Sequence, residues 1–539
     1  MSQFMCPNCG VESIGMGAHS YPPLPPNILN SNNAMDLSSH MRSQYSKTIA
    51  DIEADISKLD DEMSRLQMVM DQLAAERQSL KKSLEEHRSI AAPIRKIPPE
   101  VLSGIFTFCA DNSCSTSNSR CFDVTQAPLQ LSFVCNKWRR LAISMSQLWS
   151  YILLRGSREH FLGSGEGYTH YSKRSIRTEM LSTWLLRSGS SPLTLGINTL
   201  WLERNALTSC IAILIPHSHR WRDVTFSLDV EHWEMLSAVK EHLPQLEKID
   251  VNVSEDPSDD FDLPLDIFEV APKLHTVTMQ YNIDSSHWLV PWDQLKRLHF
   301  SLHFPMSLPW ILESCPNLAR CTVDVYDMDD TLDDLDHSSL VSLHFILRVD
   351  EHLDDLFNIL TLRALQDLDI ARPFLSNSTP VLPQNAVASM LDRSSCNLQR
   401  LRLFRVVFTS DELVEILQAQ PSLIELVIHE PTTSEIVSKR VLEQMTHDIS
   451  QSFSTESPLV VPDLKRLELF ARFAYGNQVV LDLIQSRSRR GLTQVANLES
   501  VKLGFTRKVS SEMIAQMALW RKEGLNLEVQ TGGQAVHWS

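Results

Sequence analysis

Glycine is scarce in this chain, with 16 among 539 residues, roughly 3% against a usual value of about 7%. That disfavours glycine-rich loops that cradle phosphates. An excess of positive charge is also missing. The formal net charge is −17, which argues against broad binding to nucleic acid or to anionic membranes, because both need a basic face. No run approaches the roughly 20 apolar residues that span a bilayer; Cys210 to Ile215 is apolar but far too short. No basic-then-apolar leader opens the chain. Enzyme constellations are missing too: there is no GxxxxGKS/T, no GxSxG and no HExxH. The 19 histidines lie without ligand spacing, and nothing marks an activated thiol. We therefore expect a non-catalytic protein without cofactor or metal, placed in the cytoplasm, the nucleus or both.

What is present is ordinary in bulk and informative in pattern. The length predicts two to four domains. An apolar fraction of 43% and a charged fraction of 21% suit a globular protein. The ten cysteines are scattered within apolar patterns, as reduced core residues are. Residues 1–43, rich in Pro, Asn and Ser, read as a disordered segment. Within it, Cys6-Pro7-Asn8-Cys9-Gly10 has the look of half a zinc knuckle. A structural zinc needs four ligands and no second pair follows, so the segment reads as metal-free, with metal shared across a dimer as the other possibility.

Residues 44–91 read as one long helix. Ile49, Ile52, Ile56, Leu59, Met63, Leu66, Met70 and Leu73 recur at alternating steps of three and four, and Leu80 and Leu84 continue the series. With Ile49 at position a, only Arg77 and His87 break the a/d seam. A strict seven-residue period implies a left-handed coiled coil. The other reading is a single amphipathic helix lying on the next domain, for which a two-residue stripe is narrow. Self-pairing would make a homodimer. Pro93, Pro98 and Pro99 end the helix.

The next segment, residues 92–155, opens Ile97-Pro98-Pro99-Glu100-Val101-Leu102 and continues through Ile105-Phe106. After a polar insert at 110–127 come Val134-Cys135 and Trp138, then Leu141, Leu148 and Trp149. This pattern resembles an F-box, the helical module that ties a substrate receptor to an SCF-type cullin–RING ubiquitin ligase. The resemblance implies an all-α fold and docking to a Skp-family adaptor, and through it to the cullin complex. The adaptor-binding residues it implies are Ile97, Pro98, Leu102, Ile105, Phe106, Val134, Trp138 and Trp149, with the two tryptophans as core or interface anchors.

Residues 156–190 read as a linker. From 191 to 539 the sequence repeats Leu-x-x-Leu-x-Leu: Leu246/Ile249/Val251, Leu274/Val277/Met279, Leu295/Leu298/Phe300, Leu318/Cys321/Val323 and Leu340/Leu343/Phe345. Leu365/Leu368/Ile370, Leu398/Leu401/Leu403, Leu423/Leu426/Ile428, Leu464/Leu467/Leu469 and Leu498/Val501/Leu503 complete the set, and Trp221/Val224/Phe226 is a degenerate first copy. Period-two alternation predicts a strand in each unit, preceded in several by a helix. Pro244, Pro272, Pro316, Pro421 and Pro462 sit two residues before the leading Leu. The units resemble leucine-rich repeats stacked as a solenoid. Spacing is irregular, and the family's Asn appears only as Asn282, so other bonds must hold the turns. A two-layer α/β domain is the alternative.

The predicted fold is thus an irregular leucine-rich-repeat-like α/β solenoid, preceded by an all-α F-box module and a coiled-coil helix. Two acidic runs, Glu255 to Asp266 and Asp324 to Asp336, lie between strands. They read as solvated loops, or as substrate-facing charge through Asp259, Asp260, Asp329, Asp330, Asp333 and Asp334. The run Arg487-Ser488-Arg489-Arg490 reads as a loop rather than a nuclear signal. The layout is similar to F-box-like proteins numerous in mushroom-forming fungi. It implies a receptor that holds a protein substrate on its repeats while partner subunits transfer ubiquitin. An F-box scaffold without a role in degradation is the alternative, and a nucleic-acid binder is disfavoured by charge.

Overall fold

The computed structural model describes residues 2–5, 12–15, 21, 39–114, 127–154, 178–198, 204–253, 266–280, 288–302, 308–326, 334–348, 353–373, 382, 385–431, 435–446, 460–473, 478–488, 495–505, 509–531 and 534–535. They fall into two compact units, Met1–Pro98 and Pro99–Ser539. No helix among the described residues is long and apolar enough to cross a membrane.

The first unit holds a short antiparallel hairpin, β1 (Ser2–Met5) with β2 (Glu12–Gly15). The segment read as disordered therefore carries paired backbone at its start. Cys6 and Cys9 lie outside the described residues. One α-helix then runs from Ser39–Ala91 over 53 residues and buries none of them. It begins five residues ahead of the predicted start and stops two residues before Pro93, as a residue without an N–H requires. Ion pairs one turn apart, Arg65 with Glu62 at 2.7 Å and Lys58 with Asp55 at 3.0 Å, give the exposed helix weak support.

The second unit opens with helices Pro99–Cys114, Leu129–Val134 and Asn136–Ser144. The first of these reaches into the predicted insert. A parallel sheet follows, whose strands are β3 (Tyr151–Leu154), β4 (Leu193–Asn198), β5 (Trp221–Leu228), β6 (Lys248–Val253), β7 (Thr276–Gln280), β8 (Arg297–Leu302) and β9 (Arg320–Val325). After a two-residue strand, β10 (Leu335–Asp336), come β11 (Ser342–Leu347), the equally short β12 (Leu360–Thr361) and β13 (Asp367–Ala371). The series ends with β14 (Arg400–Phe404), β15 (Glu425–His429), β16 (Arg466–Ala471), β17 (Ser500–Phe505), β18 (Asn526–Thr531) and β19 (Gln534–Ala535). Apart from β10 and β12, which pair with each other, these form one 15-stranded sheet in which neighbours in space are neighbours in the series. Only β19 runs antiparallel to its neighbour.

All ten predicted repeats and the degenerate Trp221 copy fall on strands. Their second and third apolar residues point to one face and stack in register, as Leu368, Leu401, Leu426 and Leu467 do across β13 to β16. That face is covered by helices, which touch in order from Ala386–Ser394 through Ser410–Ala419 and Lys439–Met445 to Gln478–Ser488. The core lies between the two layers, with residues such as Leu413 and Leu426 fully buried. The other face of the sheet is open, and most of its residues are half-buried, with Asp324 and Val427 buried.

The prolines have a specific place. Each is the second residue of a turn closed by the leading leucine's N–H: Leu246 to the Leu243 carbonyl, Leu274 to Ala271, Leu318 to Cys315, Leu423 to Gln420 and Leu464 to Val461, at 3.0–3.3 Å. Proline pre-sets the backbone angle that this position needs. The residue after each leading leucine then joins a backbone ladder, from Arg222 through Glu247, His275, Lys296, Ala319 and onward to Glu499.

The solenoid also begins earlier than predicted. Tyr151–Leu154 pairs with β4, and Trp149/Ile152/Leu154 repeats the spacing of Trp221/Val224/Phe226. Ser150, one residue after Trp149, accepts the Thr194 N–H at 2.9 Å. Part of the span read as a linker, Thr178–Ser188, is a helix whose Leu181, Trp184 and Leu185 are buried. The last parallel strand, β18, was absent from the predicted repeats; its leading position is Gly524, at φ 104°, a conformation that suits glycine.

Asn282 lies outside the described residues. The turns are held instead by side chains from neighbouring repeats. Gln294 donates to the Ala271 and Leu274 carbonyls, Arg393 to those of Phe357 and Leu360, and His337 Nε2 lies 3.0 Å from the Cys315 carbonyl. Gln420 accepts the Leu398 N–H at 3.0 Å. Arg487 belongs to this set: it is a buried residue at a helix end, not part of a surface loop.

Candidate functional site

The unit from Pro99 onward presents two open surfaces. The first is the helical module. Along Pro99–Cys114, Leu102 and Phe106 are fully buried, whereas Val101, Ile105 and Phe108 are 53%, 41% and 68% exposed. Each set follows helical spacing, so one face packs inward and a second apolar face is left open. Phe106 meets the half-buried Trp138 at 4.9 Å between ring centroids. Phe133 and Val134, on the second helix, are also exposed. Cys135 caps the third helix, its sulfur accepting the Trp138 N–H at 3.5 Å.

Leu102, Phe106 and Trp149 therefore serve the core. Trp149 is fully buried, donates from Nε1 to the Ala142 carbonyl at 2.8 Å and packs edge-on against Trp184 at 4.7 Å. Ile105 and Val134 face outward, joined by Val101 and Phe108, which the sequence reading did not select. Spacing i, i+4, i+7 from Val101 was the available signal. Ile97 and Pro98 belong to the preceding unit; Pro98 is exposed and Ile97 half-buried.

The second surface is the open face of the sheet. Parallel register places His299, Thr322, His344, Asp369, Arg402, Val427, Glu468 and Lys502 in one row across β8 to β17. The adjacent row carries Asp324, Ile346, Ala371, Phe404, His429, Phe470 and Gly504. Neighbouring strands lie about 4.8 Å apart, so long charged side chains reach across and diagonally between them. Asp324 pairs with Arg348 at 3.0 Å and with His299 at 3.6 Å. Glu425 pairs with Arg402 at 2.7 Å and Arg466 at 2.8 Å, and His429 with Glu468 at 2.7 Å. His429 stacks on Phe470 at 4.3 Å and meets Phe404 at 4.6 Å. A Cβ at position 504 would come within 2.1 Å of the Phe470 ring, so glycine is what lets that ring lie over β17.

Electrostatics differ along this face. Burial pushes the Asp324 carboxyl up, but His299 and Arg348 outweigh it and hold it below its usual 3.8. Burial likewise pushes Glu425 up, but Arg402 and Arg466 outweigh it and hold the carboxyl below its usual 4.5. A hydrogen bond with His429 does the same for Glu468. At His344 and Asp369, 3.7 Å apart, burial dominates: the imidazole is pushed down and the carboxyl up, so both tend toward neutral. His344 Nε2 and Asp369 Oδ1 are buried without a hydrogen-bond partner.

These shifts set an acid response. A carboxylate whose folded pKa lies below its unfolded value contributes stability above the unfolded value, and that contribution is lost as pH falls through the folded one. Asp324, Glu425 and Glu468 all have this sign, so stability is expected to fall below about pH 4.5. Asp324→Asn should flatten the acid limb of unfolding midpoint against pH between 5 and 3. An unchanged limb would remove Asp324 from the account.

Asp259, Asp260, Asp329, Asp330 and Asp333 lie outside the described residues, and Asp334 is exposed just before β10. The flanking acids of these runs are used internally: Asp266 pairs with Lys240, Asp336 with Arg363, and Asp324 lies on the sheet. No cluster of three or more metal-ligating side chains occurs among the described residues. Burial pushes the Cys210 thiol up to about 11 and Cys315 up to about 12, which makes both poor nucleophiles.

Comparison with protein-family models finds no match, and none is found among curated proteins.

Proposed function

We propose that this protein is the substrate receptor of an SCF-type cullin–RING ubiquitin ligase. Its helical module docks a Skp-family adaptor, and the open face of its sheet holds a protein substrate. Ubiquitin transfer belongs to partner subunits. One observation carries the reading: the exposed apolar row Val101, Ile105 and Phe108 on the helix that follows Ile97-Pro98. Clustered apolar residues left open on a folded module mark an interaction surface. The extended open face, with its ion pairs and the Phe404–His429–Phe470 stack, has the polar and aromatic character of a recognition surface.

The test is co-purification with a Skp-family adaptor. Ile105→Asp alters the open face and leaves the buried face intact, so its circular dichroism should match the unaltered chain. Binding should weaken by about 30-fold or more, corresponding to a hot spot of about 2 kcal/mol. Leu102→Asp is a poor probe, because a buried charge would disturb the core itself. Undiminished binding by Ile105→Asp, or none by the intact chain, would overturn the assignment.

A further inference from the structure

The helix Ser39–Ala91 leaves its seam largely open: Ile49, Met63, Met70 and Leu73 are each more than half exposed, and no residue of the helix is buried. A seven-residue apolar period of this length needs a facing helix. We propose that the helix pairs with a second copy of itself in antiparallel orientation.

Charge and seam chemistry choose both the partner and the direction. Residues 51–62 carry six acidic side chains and one lysine, whereas 76–88 carry four basic and three acidic ones. A parallel, in-register pair sets Asp55 beside Asp60 of the other copy and stacks the two Arg77 guanidinium groups in one seam layer. Both arrangements repel. Reversing one copy about residue 68 sets Ile52 opposite Leu84 and Arg77 opposite Leu59. Arg77 then lies within a turn of Asp55, Asp60 and Glu62 of the second copy, and Glu53 meets Lys81. Glu62 against Glu76 is the like-charge pair that remains. Each copy presents its acidic half to the other's less acidic half, so one surface suffices for both partners, as two-fold symmetry requires.

The orientation has a consequence for assembly. With a rise of about 1.5 Å per residue, the two Ala91 positions would lie about 70 Å apart. A parallel pair would bring them side by side. The antiparallel pair is therefore a spacer between two copies of the domains that follow.

The experiment uses the full chain with Ile52→Cys and Leu84→Cys made separately. Sedimentation should report a dimer, and Ile56→Asp combined with Met63→Asp should reduce it to monomer. Under mild oxidation, an equal mixture of the two cysteine variants should form a disulfide between positions 52 and 84, identified by peptide mass. Each variant alone should not link through its introduced cysteine. The chain's own ten cysteines are controlled by the unaltered protein on the same gel. Self-linking of Ile52→Cys would overturn the orientation. A monomer at every concentration tested would overturn self-pairing, leaving the seam to a different protein.

Discussion

Replacing Arg487 with leucine is expected to destabilise the repeats around β15 to β17 by about 2–4 kcal/mol, the order expected when buried carbonyls lose their donor. The Arg487 side chain is almost wholly buried, and its guanidinium donates to three backbone carbonyls: Met445 at 2.9 Å, Val461 at 2.9 Å and Val460 at 2.8 Å. Burial pulls its pKa down to about 10, which still leaves it charged at neutral pH. Leucine removes the cost of burying that charge but takes a donor from the Met445 and Val460 carbonyls, each worth about 1–3 kcal/mol when desolvated, while the Val461 carbonyl keeps the Leu464 N–H. Val461 adds to the effect. It is held at φ 44°, a region that β-branched residues disfavour by about 1–3 kcal/mol, and the Arg487 bond to its carbonyl helps retain it. Hydrogen exchange should accelerate first at residues 439–446 and 460–473, because repeat stability is local and set by neighbours. Arg487→Lys should fall between, since an ammonium cannot reproduce a planar fork. Exchange unchanged in Arg487→Leu would mean that the turn is held by packing alone.

Trp149→Ala should cost a similar amount, about 3–5 kcal/mol, and its effect should appear at the other end of the sheet. Trp149 is fully buried, bonded to the Ala142 carbonyl, in contact with Trp184, and covered by the Arg187 guanidinium 4.4 Å from its ring. It thereby ties helix Asn136–Ser144 to helix Thr178–Ser188 and leads strand β3. Loss of the side chain should loosen all three together, read as faster exchange across 136–154 and 178–198. Trp149→Phe should retain most of the packing and lose only the hydrogen bond, about 1 kcal/mol. If Trp149→Ala loosened the helical module while β3 and β4 kept their protection, the module and the sheet would be energetically separate.

Much of this architecture was legible because its signals are local. A leading leucine three residues before a strand and proline two residues before the leucine are each contained within six residues. They located β6 to β9, β11 and β13 to β17, and Trp221 in the leucine's place still marked β5. Strands β3, β4 and β18 escaped because their leading positions hold Trp149, Pro192 and Gly524 rather than leucine. Trp149 also fits the helical-module pattern, which conceals its second role. The irregular repeat lengths hid the site. His299 and Asp324, or Glu425 and Arg466, are 25 and 41 residues apart, and only strand register reveals that they meet. Burial likewise divided Val101, Ile105 and Phe108 from Leu102 and Phe106, although all five belong to one apolar helix.

By itself the sequence determined the repeated strands, the seven-residue seam of the long helix and the inward face of the strands, because periodicity along a chain is a property of neighbouring residues. Tertiary structure decided where the sheet begins, which apolar residues of the helical module remain open, and that Arg487 and Asp324 are buried. Those outcomes depend on contacts between residues tens of positions apart, and the free energy of placing a charge or an apolar group depends on what surrounds it.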